Sequence, residues 1–176
     1  LVRISLIAFT LASLFITCRS KREAVSTTNT PDPRWATVDS LSRLGQYATA
    51  LGRTQAILDE AKASGDWRTE FRAWQHRGQY RAYTGASNDS SLLALEERAS
   101  TADVPLKQLL HSALATGWWQ RYEQDRWRVL DRTNTTVEDD DPDTWSQATY
   151  MKKVIGHFTA SLEPADTLKK LAAGDL

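Results

Sequence analysis

The chain has 176 residues, with 22 basic and 22 acidic side chains, 41% hydrophobic residues and one cysteine, which sets the expectation of one domain or a small helical array. Zero net charge argues against a nucleic-acid binder, which normally carries a basic surplus or at least a basic face. A single cysteine excludes an internal disulfide framework and any zinc site built on several thiolates.

Arg3 precedes an uncharged run from Ile4 to Ile16, and charges resume at Arg19, Lys21 and Arg22. The run is shorter than the roughly 20 apolar residues a membrane-spanning helix needs and fits the apolar region of a secretory signal. Cys18 stands two residues past its end. That placement resembles a bacterial lipoprotein signal, in which the cysteine becomes the first mature residue and carries the lipid. Phe15-Ile16-Thr17 departs from the usual pattern, which has Leu three places before the cysteine and Gly, Ala or Ser immediately before it; the alternative is a plain secretory signal with an incidental cysteine. Residues 1–17 are therefore expected to be a signal peptide and residues 18–34 a polar tether rich in Ser, Thr and Pro. Residues 35–176 are expected to fold, held at the cell envelope through lipid on Cys18.

From Trp35 onward the apolar spacing is helical, without sustained strand alternation. Trp35, Val38, Leu41 and Leu44 form a first stripe that Gly45 ends; Ala50, Leu51, Ile57, Leu58 and Ala61 form a second, closed by Gly65-Asp66. Phe71, Trp74, Gly78 and Ala82 mark a third helix before a loop from Gly85 to Asp89, and Leu92, Leu95 and Ala99 a fourth. The fifth opens with Asp103 as N-cap and Pro105 in the first turn, and carries Leu106, Leu109, Leu110, Ala113, Leu114 and Trp118. After a polar loop, the sixth runs from about Thr144, with Asp143 as its N-cap, through Ala148, Ile155 and Phe158 to Leu162, and Pro164 starts a short seventh. Short turns between such helices favour antiparallel packing. The spacing predicts an all-α fold of about six or seven antiparallel helices. Gly45-x-Tyr47-x-x-Ala50 and the Trp74, Gly78, Gly85 spacing match parts of a tetratricopeptide repeat, in which a small residue lets two helices approach closely. Gly45 and Gly85 are 40 residues apart instead of about 34, so the array is read as tetratricopeptide-like and irregular.

Motifs for chemistry are sparse. His76, His111 and His157 fall singly on three helices, which favours packing or exposure over a metal site. The dispersed glycines form no phosphate loop, and no GxSxG is present. The run from Glu138 to Asp143 lacks the glycine and distal glutamate of a calcium loop. The densest constellation spans Trp118, Trp119, Tyr122, Arg126 and Trp127 and continues to Arg132. Arginines interleaved with aromatics can bind single strands of nucleic acid, but Glu123, Asp125 and Asp131 cancel most of this charge. The preferred reading is packing in a helix seam, with a concave peptide-binding surface as the alternative. No cofactor and no catalytic residue is expected.

The order Trp35…Val38…Leu41…Gly45-x-Tyr47-x-x-Ala50-Leu51, Ile57-Leu58-x-x-Ala61-Lys62, Leu109-Leu110-His111-Ser112-x-Leu114-Ala115, Trp119-x-x-Tyr122-x-x-x-Arg126, Arg132-Thr133, Thr144-Trp145 and Ser161-Leu162 resembles the N-terminal helical region of the large alpha-2-macroglobulin-like lipoproteins of Bacteroidetes-type bacteria. The resemblance covers about Trp35 to Leu162. It implies a lipid-anchored protein of a protease-trapping family, whose work is done by downstream macroglobulin domains, a bait segment and sometimes a thioester from Cys-x-x-Gln. Lys21 stands where that glutamine would follow Cys18, so this stretch cannot form the thioester. The expected role is a non-catalytic first module that spaces or docks the downstream inhibitor domains, with proteases or envelope proteins as further partners. The alternative is a free-standing envelope lipoprotein with a tetratricopeptide-like binding surface for a peptide or protein.

Overall fold

The computed structural model describes residues 32–85, 88–131 and 141–170; the expectations for the signal peptide, most of the tether, Cys18 and Arg132 lie outside them. Among the described residues the chain is all-α. The helices are α1 (Pro33–Arg43), α2 (Tyr47–Ser64), α3 (Trp67–Tyr83), α4 (Asn88–Thr101), α5 (Leu106–Leu130), α6 (Gln147–Ser161) and α7 (Ala165–Leu168), with one 3-10 turn at Pro142–Thr144.

Local signals account for most helix ends. Asp32 caps α1 by accepting the Arg34 N–H at 3.0 Å, with Pro33 in the first turn, where its missing N–H costs nothing. The Arg34 guanidinium bonds both Asp32 and Glu60 of α2. Residues 32–34, expected in the tether, are therefore tied into the helical unit. Asp66 and Ser146 cap α3 and α6 in the same way, through the N–H groups of Thr69 and Thr149. Gly45, Gly65 and Gly85 follow the ends of α1, α2 and α3 with φ of 71°, 70° and 77°, the left-handed conformation that glycine adopts without a Cβ penalty. They recur every 20 residues, one helix plus its turn. The 40-residue interval read from Gly45 and Gly85 is thus one complete hairpin, α2 with α3.

Cross-helix pairs fix the directions. Arg34 meets Glu60, Gln55 meets Arg77, and Glu70 meets Arg98 while Arg81 meets Ser91. Asp89 meets Arg121, and His111 meets His157 while Tyr122 lies against Tyr150. Each consecutive pair from α1 to α6 runs antiparallel, so α3 and α5 lie parallel on either side of α4, and they also touch each other. The core follows this path from Trp35 and Val38, through Ile57, Leu58 and Tyr80, to Leu110, Leu114, Trp118 and Tyr150. Gln108 Nε2 donates to the Glu163 carbonyl at 2.6 Å and ties the end of α6 to α5.

Inside this core sits one charged side chain. Glu70 of α3 is 2% exposed and receives Arg98 Nε at 2.6 Å, Arg98 Nη2 at 3.0 Å and Trp74 Nε1 at 3.3 Å. The two-pronged guanidinium contact matches both carboxylate oxygens, the strong geometry for such a pair, and bolts α4 to α3.

Several expectations change. α5 starts at Leu106 without a side-chain cap, Asp103 supplying only its carbonyl to the Lys107 N–H. Ser146, not Asp143, caps α6, because the 3-10 turn carries Asp143 away from the helix end. The apolar residues that marked the sixth helix in the sequence point outward. Ile155, Phe158 and Leu162 are exposed, while Tyr150 and Val154, four residues apart, are buried. Gly78 faces open space; the close approach is at Gly117, where a Cβ would collide with the Leu92 side chain of α4.

Candidate functional site

The aromatic segment of α5 divides into buried and exposed residues. Trp118 and Tyr122, one turn apart, are buried against Trp145 and Tyr150, with ring centroids 4.8 Å apart for Trp118 and Trp145 and 5.8 Å for Tyr122 and Tyr150. Between Trp118 and Trp127 the helix is interrupted at Asp125, whose φ of −109° and ψ of 15° are not helical. Trp127 is 83% exposed and Trp119 43% exposed. The expectation that this constellation packs in a helix seam therefore fails for these two, which the neighbouring helices leave uncovered. Arg126 is exposed.

Two polar clusters join helices near this segment. Arg121 is mostly buried, and its guanidinium reaches Asp89 of α4 at 2.7 Å, Asp143 of the 3-10 turn at 2.6 Å and Asp125 of its own helix. Arg128 adds contacts to Asp125 and Asp143. Burial works against the Arg121 charge, but bonds from Asp89 and Asp125 outweigh it and raise its pKa. Asp143, expected as a helix cap, is instead a tie between this turn and α5.

The second cluster centres on Glu96 of α4. Its Oε1 accepts Trp118 Nε1 at 2.7 Å, Lys153 Nζ at 2.7 Å and His157 Nε2 at 3.1 Å. His157 Nδ1 lies 3.0 Å from His111 Nδ1. Two of the three histidines expected to stand singly, His111 and His157, are therefore paired, α5 to α6, a juxtaposition that their sequence separation conceals. Burial opposes ionisation of Glu96, yet the bonds from His157, Lys153 and Trp118 hold its pKa at about 2. Burial, then the neighbouring His157 and Lys107 charges, depress His111.

These shifts predict two stages of acid destabilisation. A histidine with a depressed folded pKa takes its proton preferentially in the unfolded chain, so stability falls as pH drops below about 6.5. A second proton between the His111 and His157 rings also sets two N–H donors against each other. Glu96, depressed from 4.5 to about 2, contributes stability that is present above about pH 4.5 and is lost as pH falls through about 2. Thermal melts against pH are expected to show both stages. His111→Gln should shrink the first, which His76, also depressed chiefly by burial, partly sustains. Glu96→Gln should remove most of the second; a wild-type profile that stays flat from about pH 7 to 3 would contradict the assignment.

Between α3 and α5, above α4, runs an open groove of about 680 Å³. Phe71, Trp74, Leu92, Leu95 and Leu109 give it an apolar floor. Its walls carry exposed glutamines one helical turn apart, Gln75 and Gln79 on α3 and Gln120 and Gln124 on α5. Arg121 is its one charged lining residue, and the three aspartates already engage it. None of these four glutamines belongs to a motif in the sequence. Their signal was two amide pairs at i, i+4, visible as pairs but not as opposite walls.

Among the described residues no group of three His, Cys, Asp or Glu side chains is placed to hold a metal ion, and no helix is long and apolar enough to cross a membrane. Compared with protein-family models, curated proteins and solved structures, the chain matches none.

Proposed function

We propose that the chain is a non-catalytic helical docking module of the cell envelope, whose working surface is the groove between α3 and α5. The single observation behind it is that open groove, apolar below and amide-lined above, on helices bolted together by Glu70 with Arg98 and by Arg121 with its aspartates. The titratable clusters, by contrast, are consumed as ties between helices. Peptides selected on the full chain from a displayed random library are expected to lose at least tenfold in affinity when Thr116→Trp, on the groove wall, fills the space. The variant's thermal melt should be unchanged. Failure to select any peptide, or equal binding to the filled variant, would overturn the reading.

The envelope address rests on the signal-like run before Cys18. Radiolabelled palmitate is expected in the wild type and not in Cys18→Ala; equal labelling would refute the anchor.

A second reading makes this the first module of a lipid-anchored alpha-2-macroglobulin-like inhibitor, docking the downstream domains. The motif order supports it, as does the outward stripe on α6, where Ile155 is 63% exposed and Leu162 67% exposed in line with Phe158. Such a stripe suits a face that another part of the same protein covers. Translating the gene past Leu176 tests this: strand-rich domains favour it, and an early stop codon contradicts it.

A further inference from the structure

The four groove glutamines have chemistry that their helices do not use. Among the described residues none of Gln75, Gln79, Gln120 and Gln124 has a hydrogen-bond partner, although each offers one carbonyl and two N–H donors. On each wall the two amides are four residues apart, about 6 Å along the helix. An extended polypeptide repeats its main-chain N–H and C=O on one edge every second residue, about 6.7 Å. The spacings match closely enough for both amides of a wall to meet successive main-chain groups on one edge. The walls lie on parallel helices, so an extended segment running along the groove passes both pairs in turn. The lining residues on α3 run from Phe71 to Ala82, about 16 Å, room for about five extended residues. With Arg121 already engaged by Asp89, Asp125 and Asp143, a charged side chain entering the groove would lose water without gaining a counter-ion.

We propose that the groove binds an extended, uncharged polypeptide segment by its main chain, with Gln75 and Gln79 on one edge and Gln120 and Gln124 on the other, while the apolar floor takes the downward side chains. This rests on the docking reading above and names the ligand class for that surface.

The test uses the full chain and the peptides selected from the library. The groove-facing cores of those peptides should lack Asp, Glu, Lys and Arg. N-methylation of alternate main-chain nitrogens should weaken binding at least tenfold, and Gln79→Met or Gln120→Met should each weaken it roughly three- to tenfold with unchanged melting. Peptides that are displaced by Thr116→Trp yet ignore N-methylation and both Gln→Met changes would overturn main-chain recognition and leave the docking surface standing. Selected peptides with charged cores would also overturn it. If no selected peptide responds to Thr116→Trp, the docking reading fails and this inference fails with it.

Discussion

Arg98→Met is expected to destabilise the chain by about 3–5 kcal/mol, the cost of leaving one member of a buried ion pair without its partner. Glu70 is almost fully enclosed, and without Arg98 its carboxylate would keep only the Trp74 indole N–H as a donor. The gain from the pair itself is much smaller, because both ions surrendered water to form it. The double variant Glu70→Leu/Arg98→Met should therefore recover most of the loss. Denaturant unfolding of wild type, single and double variants measures both steps. A single variant as stable as wild type would show that the Glu70 site admits water.

Trp118→Ala is expected to cost about 3–5 kcal/mol, since it removes a fully buried indole that packs on Trp145 and Tyr150 and donates to Glu96. The cost combines the lost apolar transfer, the remaining cavity and one unsatisfied acceptor lobe on Glu96. At roughly 2–4 °C per kcal/mol for a chain of this size, the melting temperature should fall by about 6 °C or more. Trp127→Ala, at an exposed position beyond the irregular Asp125, should stay within about 0.5 kcal/mol of wild type. Similar losses at the two positions would contradict the burial of Trp118 against the exposure of Trp127.

Helix positions and turns were legible because they are local. Apolar residues recur at three and four, Asp66 stands where α3 needs a cap, and Gly45, Gly65 and Gly85 stand where the chain turns left-handed. The inner face of α6 was not legible. Its apolar residues Ile155, Phe158 and Leu162 suggest one face, but Tyr150, Val154 and the Glu96 cluster claim the other, and only the neighbouring helices decide between them. His111 and His157 were read as isolated for the same reason, being brought together by the antiparallel register of α5 and α6. The groove glutamines mark the limit of local reading. Each pair at i, i+4 is plain in the sequence, but that they face one space follows from α4 setting α3 and α5 side by side.

The most direct measurement is a crystal structure of the full chain with a peptide selected on it. An extended segment lying between α3 and α5, its main chain bonded to the amides of Gln75, Gln79, Gln120 and Gln124, is the expected result. A peptide seated on the outer stripe of α6, or one lying in the groove as a helix with its main chain bonded to itself, would contradict it.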